Sequence, residues 1–488
     1  MQRRSCLAAG VLLAAGVRGV PAAADGIDGR WLASAGPPDN RASIGLALER
    51  GPDGTLQARY TIDLVNFYGV PLPPLQADGE GRWTLKQYGV AIERTANGLR
   101  VTGLADEPLL MGRVDALPQA PQRPLPPAGP EPAWQLRLGG AIYAPAAVQG
   151  HRVYVGNADG VMAAVDARSG TLAWTFAAGR AIHGEATVTD EAVFFACDNG
   201  WLYRLDRASG KEAWRHDLGD ARVPRVPPNP FVFDYDHAGP RPVLHDGVLY
   251  IGAGDGGFHA VNADSGRPRW RFAAAGKVRG SAAVLGDGVV FGTRDGVVHG
   301  LDRASGRERW QFKTGGPVVS TPAVAGERLI VGDRGSRLNA LLPGRAEPVW
   351  SQPWWGSWIE SSAVVHGDTG YIGSGDLFLV SAFDVATGRH HWRTFVGGWV
   401  LQRPLVTERW VYASLSGARR RAAHFLPQQS GLAKLDRRDG RIVWQWRAPA
   451  ASPGAFLFGQ VAAPAAVAGR IVLGGVDGTL LAFDDPPG

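Results

Sequence analysis

The chain has 488 residues, with 67 Gly, 35 Pro, 17 Trp and only 2 Cys, and 45% of it is hydrophobic. Gly and Pro together make up about a fifth, well above ordinary usage, which leaves no room for long helices and argues against a helical or doubly wound α/β enzyme. Two cysteines exclude a disulfide-dense scaffold, an iron–sulfur protein and a Cys-rich zinc site, and half of the +6 formal charge sits in the N-terminal segment, so no basic stripe remains for nucleic acid.

Residues 1–24 carry Arg3 and Arg4, an apolar stretch and then Ala22-Ala23-Ala24, the pattern of a cleavable secretory signal. Removing it takes three arginines and no acids, leaving a mature charge of +3. Cys6 follows no apolar segment, so it does not serve as a lipidation site, and the expected product is periplasmic or secreted rather than a lipoprotein. Gln2 and Cys6 fit a twin-arginine signal poorly, which favours ordinary secretion. Cys197 is then the single mature thiol, expected as a small buried hydrophobe. No later segment approaches the length of an apolar membrane-spanning helix.

Residues 25–115 alternate apolar and polar in short runs: 30–34, 43–49, 56–63, 83–87, 90–94, 99–104 and 109–114. Turns such as Pro52-Asp53-Gly54 and Ala96-Asn97-Gly98 separate them, which predicts a small antiparallel barrel or sandwich. No catalytic constellation occurs there. Residues 116–132 hold seven prolines between 118 and 132, a semi-rigid linker by composition.

From 133 to 488 the sequence repeats. Tryptophans stand at Trp134, Trp174, Trp214, Trp270, Trp310, Trp350, Trp392 and Trp444, separated by 40, 40, 56, 40, 40, 42 and 52 residues. Most follow Asp-x-x-Ser/Thr-Gly-x-x-x-Trp, as in Asp166/Gly170/Trp174, Asp302/Gly306/Trp310 and Asp384/Gly388/Trp392. An Asp caps the N–H groups of a tight turn, Gly supplies its positive φ, and Trp offers a flat ring to a neighbouring unit. Four short strands per repeat predict a propeller blade, and eight repeats predict eight blades. Asp484 has no Trp after it and Trp134 has no Asp before it, so the first strand is expected to complete the last blade.

This repeat resembles the pyrroloquinoline quinone (PQQ)-type β-propeller repeat over residues 134–488. That family includes PQQ- and Ca²⁺-dependent alcohol and sugar dehydrogenases and also cofactor-free propellers of the BamB type. The resemblance implies, for an enzyme, arginines on the quinone carboxylates, acids on Ca²⁺ and an Asp base. Register alignment brings His183, Glu185, Arg241, Arg279, Glu360, Gln402 and Arg403 to the channel as candidates, with Asp234 or Asp236 as the base. Quinoprotein alcohol dehydrogenases share an adjacent Cys-Cys disulfide that this chain cannot form, and most repeat intervals here are a bare 40 residues.

Extra residues fall after Trp214, near 223–237, and at 418–430. By strand order both lie on the face formed by fourth-to-first and second-to-third connections. Trp354, Trp355, Trp358 and Trp399 fall in fourth-to-first connections of the same face, which predicts an exposed aromatic binding surface. The expectation is a monomeric exported scaffold that binds an envelope or secreted protein. The alternative is a PQQ- and Ca²⁺-dependent dehydrogenase.

Overall fold

The computed structural model describes residues 27–485 except 80, 87–88, 106, 220–222, 226–235, 419–427 and 450–456. The expected signal at 1–24 lies outside the described residues. The chain forms two compact units that divide after Pro124. No described helix is long and apolar enough to cross a membrane.

The first unit is one antiparallel sheet of nine strands. Gly29–Ala35 lies in its middle, pairing with Ala42–Arg50 on one side and with Leu109–Val114 on the other. Period-two alternation buries Ile44, Leu46 and Leu48 from one strand and Ile92 and Val101 from two others, around Trp31 and Trp83. All seven expected strands form. Two more, Phe67–Pro71 and Gln76–Ala77, were not legible, because one contains Gly and Pro and the other is too short to alternate.

The linker does not run free. Within the first unit the side chain of Arg123 reaches Asn66 Oδ1 at 3.0 Å. Within the second, Gln445 N–H donates to Pro127 O at 2.8 Å and Gly129 N–H donates to Gln445 O at 3.0 Å. Residues 127–129 thereby add to the outer edge of a blade.

The second unit is an eight-bladed propeller of antiparallel sheets, four-stranded except that Leu457–Gly459 adds a fifth strand to one of them by pairing with Trp410–Ala418. We number blades 1 to 7 from residues 147–177, 187–217, 243–273, 283–313, 323–353, 364–395 and 405–447, and blade 8 from 465–484. As the two incomplete ends of the repeat predicted, Trp134–Arg137 becomes the fourth strand of blade 8, with Trp134 opposite Ala482 and Leu136 opposite Leu480. Hydrophobic cores fill the seams: Val153, Val155 and Val165 of blade 1 pack with Val472, Leu480 and Ala482 of blade 8.

The repeat motif works as its chemistry suggested. Asp302 Oδ1 accepts from Ser305 N–H at 2.8 Å, and Gly306 at φ 72° closes the turn on Asp302 O at 2.8 Å. The Ser305 hydroxyl first, then its N–H and Arg309, hold the Asp302 carboxyl down to about 2. Trp270 of the preceding blade lies flat on Gly306 and donates its indole N–H to Arg303 O at 3.1 Å. The same seat joins Trp134 to Gly170, Trp174 to Gly210, Trp214 to Gly266, Trp350 to Gly388 and Trp392 to Gly440. Trp310 departs from it: blade 5 lacks the Asp-Gly turn, and the Trp310 ring lies instead over Gly300 of its own blade.

Candidate functional site

The fourth-to-first connections deliver side chains to the channel, and a repeated lock fixes their register. Ile182 N–H donates to Asn157 O of blade 1, while the blade 2 turn returns a bond from Asp198 N–H to Ala181 O. The Ile182 side chain fills the space a Cβ on Gly156 would occupy, 2.3 Å from its Cγ2. Val278 on Gly252, Val318 on Gly292, Ile359 on Gly332, Val400 on Gly373 and Ile142 on Gly474 repeat it. With that residue pinned, the next position and the third one after it form two successive layers of the channel. One layer carries Tyr143, His183, Arg279, Val319, Glu360 and Leu401. The deeper layer carries Pro145, Glu185, Arg241, Ser281, Thr321, Ser362 and Arg403.

All seven expected channel residues, His183, Glu185, Arg241, Arg279, Glu360, Gln402 and Arg403, line one cavity, together with His237. The first layer is an ionic network. Asp236 is 4% exposed and is met by Arg279 Nε at 3.0 Å, Arg225 at 3.4 Å and Arg294 at 3.6 Å. Arg225 also binds Asp198 Oδ2 at 2.6 Å, and Asp198 faces His183 Nε2 at 3.4 Å. Beyond Gly239, His237 fills the layer, with its Nε2 3.7 Å from Glu360, whose other oxygen is 2.6 Å from Arg334. Tyr143 stacks on His183, and Arg334 lies over the Trp358 ring at 4.5 Å.

The titrations follow from this packing. Burial alone would raise the Asp236 carboxyl, but Arg279, Arg225 and Arg294 outweigh it and hold it below the usual range. Burial would likewise raise Asp198, but the His183 hydrogen bond and Arg225 outweigh it and hold its carboxyl well below the ordinary value. His237 is pushed down to about 4, by burial first and against the pull of Glu360. The network therefore holds neutral histidines among ionised Arg–carboxylate pairs near neutral pH.

Sequence reasoning missed Asp198, Arg225, Arg294, Arg334 and His237. Three of them, Asp198, Arg294 and Arg334, occupy one column of the second-to-third turns, where each N–H bonds the preceding connection. Blade 1 has Ala158 in that column. Aligning the turns as the channel strands were aligned would have exposed these charges. Asp234 lies outside the described residues, as do most of both insertions.

The tryptophan surface needs correction. Trp354 is 2% exposed and Trp399 is 4% exposed. Trp354 N–H bonds Ser336 O, which puts Trp354 at the inward position held by Ala178, Leu218 and Val396 in other blades. Trp399 is bridged to Ser416 through both backbone bonds and donates its indole N–H to Asp376 at 3.1 Å. The lengthened strand Trp410–Ala418 supplies that bridge. Trp355 and Trp358 are half-buried. Trp355 sits at φ 51° and Gly356 at φ 78° in a turn closed by Ser357 N–H on Trp354 O. Cys197 is buried as expected, with its thiol pushed up to about 11 mainly by burial.

The quinone and Ca²⁺ implied by the repeat call for open acids to hold the metal and a basic carboxylate beside it. Arg279 is engaged by Asp236, while the two acids expected on calcium, Glu185 and Glu360, are each engaged by an arginine. Asp236, the described base candidate, is ringed by three arginines, which makes it a poor proton acceptor. No group of three His, Cys, Asp or Glu side chains converges as a metal set among the described residues. This donor set does not fit the cofactor pair.

Compared with known proteins, the chain matches the family described as outer membrane protein assembly factor BamB over residues 125–230, 198–354 and 337–486. Its fold is similar to BamB from Moraxella catarrhalis at 16% identity and a TM-score of 0.51, covering 72% of this chain and 97% of that one. It is also similar to the computationally designed Ika8 protein at 14% identity and a TM-score of 0.53, covering 71% and 97%. Sqt1 of Saccharomyces cerevisiae aligns at 13% identity and a TM-score of 0.53, covering 73% and 99%. No curated protein matches the sequence.

Proposed function

Since the chain belongs to the family of the outer membrane protein assembly factor BamB, we propose that it is an extracytoplasmic scaffold that binds an envelope or secreted protein. The partner would dock on the face carrying the fourth-to-first connections and both insertions. One observation carries this reading: the channel mouth on that face is built from charges that satisfy one another. Asp236 holds Arg279, Arg225 and Arg294, and Glu360 holds Arg334. Removing one member of such a buried set costs about 3–5 kcal/mol, so the set holds Arg225 and Asp236, in the described part of the connection between blades 2 and 3, firmly against the neighbouring turns. A rigid platform with added loops is the arrangement of a recognition surface. The monomeric state and the cleaved signal belong to the same proposal.

Site-specific photo-crosslinking tests it. A photoreactive residue at Arg180, Asp295 or Trp355 marks the proposed face, and one at His151 or Glu327 marks the opposite face. The expected result is a discrete envelope-protein adduct from the first set only. Equal adducts from both faces, or adducts from His151 and Glu327 alone, would refute the assigned face.

A further inference from the structure

We infer that the deeper channel layer binds a small dicarboxylate through an arc of donors made by Arg241, Ser281, Thr321, Ser362 and Arg403. These five side chains come from blades 3 to 7 in order, at one register, and all five line the same cavity. In a ring of eight, blades 3 and 7 stand opposite each other. The two guanidinium groups therefore end the arc on opposite sides of the channel, with three hydroxyls between them.

The hydroxyls are oriented by the backbone. Arg241 N–H donates to Ser281 Oγ at 2.9 Å, Ser281 N–H to Thr321 Oγ1 at 3.2 Å, and Thr321 N–H to Ser362 Oγ at 2.8 Å. Each oxygen thus accepts from the preceding blade, and its own O–H remains to donate. No acceptor for those three protons occurs among the described residues. Three O–H donors and two cations favour an anion and disfavour a cation.

Glu185 shows which anion suits the layer. From blade 2 its carboxylate reaches across the channel to Arg403, with oxygens at 2.9 and 3.0 Å, and Arg403 remains 39% exposed. Glu185 is a built-in carboxylate occupying one end of the arc. At the other end Arg241 is exposed, and its guanidinium has no side-chain partner among the described residues. A ligand with two carboxylates separated by a short chain satisfies both ends, taking Arg403 from Glu185 and bridging to Arg241 over the hydroxyls. Arginine suits this role because its planar fork pairs with a carboxylate in two bonds.

The inference does not rest on the partner-binding reading, since the arc lies inside the channel and the crosslinking positions lie outside it. Calorimetry on the full exported chain with glutarate is the test, with acetate, inorganic phosphate and a di-glutamate peptide as the other probes. Expected is saturable glutarate binding, weaker for acetate and phosphate. Arg241→Gln should weaken it by about ten-fold or more, the loss for one charged hydrogen-bond partner. Glu185→Gln should tighten it, because the internal competitor is gone, and a purely structural Glu185 would not behave so. Ser281→Ala and Thr321→Val should weaken it too, alongside the modest fall in thermal midpoint that comes from losing the acceptor for one backbone N–H. The idea is overturned by no glutarate binding, by peptide binding without free glutarate binding, or by equal affinity for phosphate or acetate. It is also overturned if Arg241→Gln has no effect or Glu185→Gln weakens binding.

Discussion

Gly306→Ala isolates the device that holds neighbouring blades together. Gly306 sits at φ 72°, and a Cβ there would lie 2.6 Å from both Cδ2 and Cε3 of Trp270. The left-handed backbone costs a non-Gly residue about 1–2 kcal/mol, offset in part by the less flexible unfolded chain. Displacing the ring adds about 1–3 kcal/mol of overpacking and about 1 kcal/mol for the indole bond to Arg303 O. The expected total is about 3 kcal/mol. Gly326→Ala is the control: φ is 61° and nothing lies within 4 Å of the added carbon, so only the backbone cost of about 1 kcal/mol applies. Urea midpoints for both variants, and for Gly306→Ala in a Trp270→Ala background, separate the two contributions. With the ring gone, Gly306→Ala should fall to the Gly326→Ala level. Equal losses for the two glycine variants, or no coupling to Trp270, would refute the seat as the source of blade cohesion.

Acid should weaken the fold through buried histidines. His259 is pushed down to about 4 by burial, with His216 and Arg271 adding to it, against about 6.5 in an unfolded chain. Its contribution is complete above pH 6.5 and is lost as pH falls toward 4, by up to about 1.4 kcal/mol per pH unit; His259→Gln should make urea midpoints less dependent on pH across that window. Asp236→Asn should destabilise by about 3–5 kcal/mol because three arginines lose their counter-charge, and adding Arg279→Met should recover part of that loss in the same measurement. Leu136→Asp should loosen the ring closure by about 1–3 kcal/mol, seen as a lower thermal midpoint, whereas Gln135→Asp, exposed on the same strand, should leave it unchanged.

The blades were legible because most of them use the same three residues for the same three physical reasons. Spacing fixed their number, and the mismatch between Trp134 and Asp484 fixed the closure. Channel residues such as His183 and Glu185 were legible because a constant register carries them from blade to blade. Their partners were not, because Asp198, Arg294 and Arg334 arrive from a different connection, two strands away in sequence. Trp354 was misplaced because a tryptophan after a strand looks like a loop residue, although its backbone still bonds Ser336 O and keeps the inward register. Trp399 was misplaced because its cover, the lengthened strand Trp410–Ala418, belongs to the next blade.

The two layers of the channel divide the labour. Positions that hold the fold barely vary: the pinned residue is Ile or Val, and the residue beneath it is Gly, at six of the seams. One and three residues later the blades diverge into Tyr, His, Arg, Val, Glu and Leu in one layer and Pro, Glu, Arg, Ser, Thr, Ser and Arg in the next. In the first layer the divergence closes on itself, because nearly every charge meets an opposite one from a neighbouring turn. In the second it does not, because two arginines and three donor hydroxyls face a single glutamate. An imbalance on a register that packing leaves free adds little to stability. It is therefore the part of the propeller where a ligand, rather than the fold, accounts best for the choice of side chains.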